Sequence, residues 1–129
     1  MLRALLVEDD LFFRRAVAHL LTIRFPGIVI EEAGDAEVAL RKLAARRPDL
    51  AFVDIGLPNK NGFELTGEIK SMNVGVSVAV LSSHDTPEYR EAALREGADW
   101  YICKTADTCR DQIIGCVASL SNQRQCLSV

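Results

Sequence analysis

The sequence predicts an open, doubly wound α/β domain, in which helices cover both faces of a parallel five-stranded sheet. Within its 129 residues, short apolar segments alternate five times with segments of helical periodicity. Several of the short segments are apolar on consecutive residues, as expected for strands covered on both faces. Strands joined by helices run parallel, and such crossovers are almost always right-handed. The length favours one domain.

Five short segments have the character of strands. Each is rich in apolar or β-branched residues and is bounded by acids, glycine or proline. They are residues 3–7, 28–30, 50–53, 76–81 and 100–103.

Five helical segments alternate with these strands. Asp35 is a candidate N-cap for the second helix, which ends before Pro48. Thr86 and Pro87 form a cap and first-turn proline for the fourth, which runs toward Gly97. The others are residues 11–24, 62–72 and 107–120. We predict that the domain occupies residues 1–121, and that residues 122–129 are a polar tail or the start of a linker.

Composition excludes several classes of protein. No apolar run approaches the roughly 18 residues that span a bilayer. The N-terminal apolar stretch meets the acids from Glu8 onward too soon for a secretory signal. A net charge of −3 provides no general attraction to nucleic acid. We therefore expect a cytoplasmic domain without direct membrane or nucleic-acid contacts.

Polar side chains follow four of the predicted strands, at the sheet edge where doubly wound folds place their sites. They are Glu8, Asp9 and Asp10 after the first strand, Asp54 after the third, Ser82, Ser83 and His84 after the fourth, and Lys104 after the fifth. Each also has an ordinary interpretation: an acid such as Asp10 can cap the next helix, a serine can cap a turn, and a lysine can be solvated. Convergence of four separate segments favours a functional site.

The chemistry of such a cluster is that of phosphoryl transfer. Neighbouring carboxylates repel one another by about 1–4 kcal/mol per pair near a surface, unless a cation intervenes. Carboxylate and carbonyl oxygens suit Mg²⁺, which can bridge to a phosphoryl group. Lys104 supplies a second positive charge, and Asp54 is a carboxylate of the type that acts as a covalent nucleophile.

The sequence resembles the receiver domains of response regulators in two-component signalling. The resemblance covers residues 3 to about 121. Its motifs are Leu5-Leu6-Val7-Glu8-Asp9-Asp10, Val53-Asp54-Ile55-Gly56-Leu57-Pro58 with Gly62, Val80-Leu81-Ser82-Ser83, and Gly97-Ala98-Asp99-Trp100-Tyr101-Ile102-Cys103-Lys104. The resemblance implies a flavodoxin-like (βα)5 fold.

The resemblance also implies a metal-dependent phosphorylation site. Asp54 would be the phospho-acceptor. Asp9 would bind Mg²⁺ directly and Glu8 through water, while Asp54 and the backbone carbonyl of Gly56 would complete the protein ligands.

Three further residues would respond to the phosphoryl group. The resemblance implies that Ser82 is the switch hydroxyl, that Lys104 is the phosphate-binding lysine, and that Tyr101 is an aromatic that changes orientation. Tyr101 has an equally ordinary interpretation as a half-buried residue of the fifth strand.

By resemblance, the protein is a signalling phospho-acceptor that assists its own Mg²⁺-dependent phosphorylation and dephosphorylation. Its phosphodonor would be a sensor histidine kinase or a phosphotransfer protein. The fourth helix, fifth strand and fifth helix, roughly residues 87–120, would then control an output partner, a C-terminal effector domain or a homodimer.

Two other classes of protein compete with this interpretation. A phosphatase of the haloacid-dehalogenase type also uses a nucleophilic Asp at a strand end, but it carries a second Asp two residues later, where this chain has Gly56. The chain also has no room for a cap domain. A receiver-like interaction module that is never phosphorylated is the other alternative, and treatment with acetyl phosphate distinguishes it.

Overall fold

A computed structural model of the chain describes residues 2–72 and 75–127. Five parallel strands form one sheet in the order β2-β1-β3-β4-β5. The strands are β1 (Arg3–Val7), β2 (Val29–Ala33), β3 (Leu50–Asp54), β4 (Ser77–Ser82) and β5 (Trp100–Cys103). The helices are α1 (Leu11–Arg24), α2 (Ala36–Ala45), α3 (Gly62–Met72), α4 (Pro87–Arg95) and α5 (Cys109–Leu127). The predicted doubly wound (βα)5 fold is confirmed.

The two largest differences from the predicted boundaries are at the ends of β2 and α5. β2 continues to Ala33 because parallel pairing with β1 extends from Arg3–Val29 to Val7–Ala33, although Glu31 and Glu32 are polar. α5 begins at Cys109 and continues to Leu127, beyond its predicted end at residue 120. Polarity alone does not end a helix, and no glycine or proline follows Gly115. The use of residues 122–129 as a tail or linker stays a prediction, and residues 128 and 129 lie outside the described residues.

None of the helices within the described ranges combines the length and apolar character needed to cross a bilayer.

The sheet separates two hydrophobic clusters. The first packs one face of the sheet against α2, α3 and α4, with buried members such as Ala39, Leu65 and Ala93. The second packs the other face against α1 and α5, with buried members such as Leu21 and Ile113. Successive residues of β5 belong to opposite clusters: Tyr101 lies in the first and Ile102 in the second. This alternation follows from the two-residue period of a strand.

The parallel register brings the carboxyl ends of the central strands to one edge. Asp54 pairs with Leu81, and Ser82 pairs with Cys103. Backbone hydrogen bonds continue just past the strands, from Ile55 N to Leu81 O (3.0 Å) and from Lys104 N to Ser82 O (2.7 Å). The loops that leave β3 and β5 therefore start from fixed positions.

Gly62 lets α3 begin directly behind the end of β3. Its N–H donates to the carbonyl of Ile55 (3.0 Å), which closes the loop after Asp54. A Cβ at position 62 would overlap the carbonyl oxygen of Asp54 and lie 2.7 Å from the Cα of Ile55. Only glycine fits without moving the backbone that carries Asp54.

We predict that Gly62→Ala lowers the free energy of unfolding by about 2–3 kcal/mol, because the added methyl overlaps backbone that cannot rotate away. Gly115→Ala is the matched control, since a Cβ there meets nothing within 4 Å. That substitution is expected to raise stability by up to about 1 kcal/mol through helix propensity. Urea unfolding measures the stability of both variants. Equal changes in the free energy of unfolding would contradict the steric role given to Gly62.

Candidate functional site

Three acidic side chains converge at the carboxyl edge of the sheet, as the sequence predicted. Glu8 and Asp9 follow β1, and Asp54 ends β3. Each offers a carboxylate oxygen that lies within 4.8 Å of the other two. Glu8 and Asp54 are buried, whereas Asp9 is exposed. Asp10 is not in this group, because its side chain caps α1 by accepting from the amides of Phe12 (3.0 Å) and Phe13 (3.2 Å).

Lys104 points into the carboxylate cluster from the end of β5. Its Nζ lies 3.1 Å from Asp54 Oδ1 and donates to Glu8 Oε1. The same ammonium lies 4.8 Å from the ring centroid of Phe13, a cation–π geometry. The partners orient Lys104 so that its charge faces the acids and not the solvent.

Glu8 is the most strongly perturbed acid of the site. Its residue is 2% exposed, and Oε2 is buried without a hydrogen-bond partner among the described residues. Burial raises the pKa of Glu8 from its ordinary 4.5 to about 8, and the neighbouring Asp54 carboxylate acts in the same direction against the effect of Lys104. Burial lowers the pKa of Lys104, but its contacts with Glu8 and Asp54 outweigh burial and leave that pKa raised. Three carboxyl groups thus share one ammonium, and in the absence of a metal Glu8 keeps its proton up to about pH 8.

The donor set fits a hard divalent cation such as Mg²⁺. All three side-chain donors are carboxylate oxygens, the ligands that Mg²⁺ prefers. The unpartnered, buried Oε2 of Glu8 is an acceptor without a donor, as expected beside a cation or its bound water. Gly56 lies beside the cluster, since a Cβ there would be 3.6 Å from Asp54 Oδ2.

Ser82, His84 and Tyr101 form a connected group next to the acids. Ser82 is buried, and its Oγ accepts from the backbone N–H of His84 (3.0 Å). The Tyr101 hydroxyl donates to the carbonyl of His84 (2.5 Å), and the residue is 6% exposed. Burial raises the pKa of Tyr101, while the neighbouring Ser82 hydroxyl acts in the opposite direction. The aromatic side chain therefore lies in its inward orientation, connected to the predicted switch hydroxyl through one residue.

Sequence reasoning did not identify Arg14 as part of the site. Its Nη1 donates to the carbonyl of Glu8 (2.7 Å), and its Nε donates to Glu32 Oε1 (2.8 Å). One signal was available, because a side chain in the first turn of a helix lies over the turn before its own Cα. Arg14, four residues after the Asp10 cap, is therefore placed to reach back to the loop after β1.

The fold and the site define a class of protein: a receiver domain of the response-regulator type. The family model described as the response regulator receiver domain matches residues 4–114, and the chain belongs to this family. It is a signalling domain of two-component systems, and a phosphoryl-accepting role is consistent with the whole arrangement.

The relatives include a transcriptional activator and a response regulator, both longer than this chain. The DNA-binding transcriptional activator DevR/DosR of Mycobacterium tuberculosis is 33% identical over 104 residues, covering 81% of this chain and 48% of its own. The response regulator MprA of Mycobacterium ulcerans is 33% identical over 102 residues, covering 79% of this chain and 43% of its own. The chain thus spans about half the length of the curated relatives it matches.

A solved structure of similar size matches the fold. The CheY-like receiver domain protein of Methanospirillum hungatei superposes with a TM-score of 0.83 at 28% identity, covering 97% of this chain and 98% of its own.

We predict that Glu8 makes the metal-free domain less stable as the pH rises. Its folded-state pKa of about 8 lies above the ordinary 4.5, so the folded protein holds this proton more tightly than the unfolded chain does. The contribution to stability is full below about pH 4.5 and is lost as the pH rises through about 8.

Urea unfolding in EDTA across this pH range, compared with Glu8→Gln, isolates the effect. The free-energy difference between wild type and variant should change with pH in the stated direction. A difference that is independent of pH would contradict the prediction.

Proposed function

We propose that Asp54 accepts a phosphoryl group from the phosphohistidine of a kinase or phosphotransfer protein, or from acetyl phosphate, when Mg²⁺ is present. The observation that carries the proposal is that the Asp54 carboxylate lies within 4.8 Å of oxygens of Glu8 and Asp9 and 3.1 Å from the ammonium of Lys104. An incoming phosphoryl group would meet a cation site on one side and a fixed positive charge on the other. Phosphoryl transfer depends mainly on such positioning and charge neutralisation.

In the proposed reaction, one carboxylate oxygen of Asp54 attacks phosphorus. The bond from phosphorus to the donor histidine nitrogen breaks, and its electron pair stays on the imidazole, which takes up a proton from solvent. The product is an acyl phosphate on Asp54, and attack of water on phosphorus later restores the carboxylate and releases phosphate.

The chain's own residues orient this reaction. Asp9 and Asp54 would be direct ligands of Mg²⁺, Glu8 would act through water, and the carbonyl of Gly56 would complete the protein donors. When bound, Mg²⁺ supplies positive charge to the oxygens of the transferring group. Lys104 would turn from the Asp54 carboxylate, which loses its charge when it is phosphorylated, to an oxygen of the phosphoryl group.

The output of the proposed switch runs through the group formed by Ser82, His84 and Tyr101. A phosphoryl group on Asp54 carries about 1.5–2 negative charges, in place of the single charge of the carboxylate, and three strong acceptor oxygens. Ser82 would donate to one of these oxygens and move with its loop, which displaces the His84 backbone and therefore the hydrogen bond of Tyr101. Arg90 of α4 stacks on the same ring, 4.9 Å from its centroid, so the change reaches α4.

The surface formed by α4, β5 and α5 is the proposed output face. It would control a partner, a C-terminal effector domain or self-association, and the proposal includes a cytoplasmic location. An effector domain is supported by the relatives, which extend well beyond the region that this chain matches and include one named as a DNA-binding transcriptional activator.

We predict that Asp54→Asn abolishes phosphate incorporation from acetyl phosphate, because the amide removes the nucleophile. Asp10→Asn is the matched control, since it makes the same change in an acid that caps α1 outside the cluster. Intact-mass spectrometry with Mg²⁺, and with EDTA as the metal-free comparison, measures the added phosphate. Incorporation at the wild-type level in Asp54→Asn would place the acceptor elsewhere, and no incorporation into wild type would favour the interaction module.

We predict that Ser82→Ala is still phosphorylated on Asp54 but responds weakly at Tyr101. One charge-assisted hydrogen bond is worth about 1.5–3 kcal/mol, which shifts a two-state equilibrium by about one to two powers of ten. NMR shifts of Tyr101 before and after phosphorylation measure the response. Ser83→Ala, the exposed neighbour, is the control. A full wild-type response in Ser82→Ala would show that coupling takes another route.

A further inference from the structure

We infer that Arg14 is a positioning residue for the Mg²⁺ site: its guanidinium fixes the peptide between Glu8 and Asp9, so that both carboxylates face the cation. The inference rests on the proposed function, since it concerns how that site is held.

Arg14 joins the acidic loop to the neighbouring strand. Its side chain is 16% exposed, with Nη1 donating to the Glu8 carbonyl (2.7 Å) and Nε donating to Glu32 Oε1 (2.8 Å). Glu32 lies on β2, and its own carbonyl accepts from Lys42 Nζ of α2 (2.5 Å). Glu32 therefore holds the Nε side of the guanidinium, while Nη1 binds the loop that contains Glu8.

The Glu8 backbone is consequently held on both sides. Its N–H donates to the carbonyl of Ala33 (3.0 Å), and its own carbonyl accepts from Arg14. Two hydrogen bonds with fixed directions set the orientation of the peptide that leads to Asp9.

Asp9 depends on this backbone more than Glu8 does. Glu8 is enclosed and paired with Lys104, but Asp9 is exposed and its carboxylate accepts no hydrogen bond within the described residues. The negative charge of the Asp54 carboxylate repels that of Asp9. The direction in which the Asp9 carboxylate points is therefore set by its backbone, and that backbone is set by Arg14.

The direction in which Mg²⁺ affinity changes on removal of Arg14 distinguishes a positioning role from an effect of its charge alone. A guanidinium near the site repels a cation, so removal of its charge alone would tighten Mg²⁺ binding. Loss of a positioning contact would weaken binding, because partners that orient metal ligands contribute about 10–100-fold to metal affinity.

The experiment is a calorimetric titration of Mg²⁺ into the wild-type chain and three variants. Arg14→Ala should raise Kd about tenfold or more. Arg14→Lys, which keeps the charge and one donor, should recover part of the loss. Arg15→Ala is the matched control, because Arg15 is 70% exposed and contacts the same Glu32 (3.4 Å) without a contact to Glu8. Its Kd should stay within about twofold of wild type.

A second measurement does not need the metal. In EDTA, the amide NMR signal of Asp9 should shift in Arg14→Ala and not in Arg15→Ala, while urea unfolding verifies that both variants are folded. A wild-type or lower Kd for folded Arg14→Ala would overturn the inference. Absence of Mg²⁺ binding by wild type would instead refute the proposed function, and the Asp9 amide would still test whether Arg14 positions this loop.

Discussion

Two buried carboxylates share one ammonium at the carboxyl edge of a parallel sheet, and the rest of the site depends on that arrangement. Burial of charge is unfavourable unless the geometry of pairing is good. Here Lys104 contacts both Glu8 and Asp54, yet Glu8 keeps one oxygen without a partner. This incomplete pairing of the acids persists because the parallel register fixes the strand ends from which their side chains start. A site that lacks positive charge is suited to acquiring it from a cation.

The backbone around this cluster is held more firmly than its side chains. Gly62 packs against the carbonyl of Asp54, and Arg14 holds the carbonyl of Glu8. The hydroxyl of Ser82, by contrast, has only the amide of His84 as its backbone donor. A phosphoryl group on Asp54 would therefore move the Ser82 side chain and the loop after β4. It would not displace the backbone of β1 or β3.

Much of this molecule could be predicted from its sequence, for identifiable reasons. Alternating periodicities determine the order of strands and helices, and the rule that sites lie beyond parallel strand ends brought Glu8, Asp9, Asp54 and Lys104 together. Those residues stand directly after strands, so no side-chain detail was needed to place them. The resemblance of the motifs supplied the roles, which the geometry supports without testing them.

What could not be predicted depends on side-chain direction or on contacts between distant segments. The partner of Arg14 lies on β2, eighteen residues away, and no spacing rule connects them. The inward orientation of Tyr101 depends on a carbonyl seventeen residues earlier in the chain. The extension of α5 was missed because a polar sequence that follows an amphipathic one resembles a loop, although the backbone continues to be helical.

The separation of the core into two clusters has a consequence for how such a domain can diversify. Lys104 contacts Phe13 on the α1 side of the sheet, whereas Tyr101 lies among the residues that pack α2, α3 and α4 on the other side. The proposed output face is thus built from both sides of the sheet, because α5 packs on the same side as α1 while α4 packs on the other. The sheet separates the packing of α4 from the α1 side that carries Phe13, so the α4 part of that surface can diversify around an unchanged reaction centre.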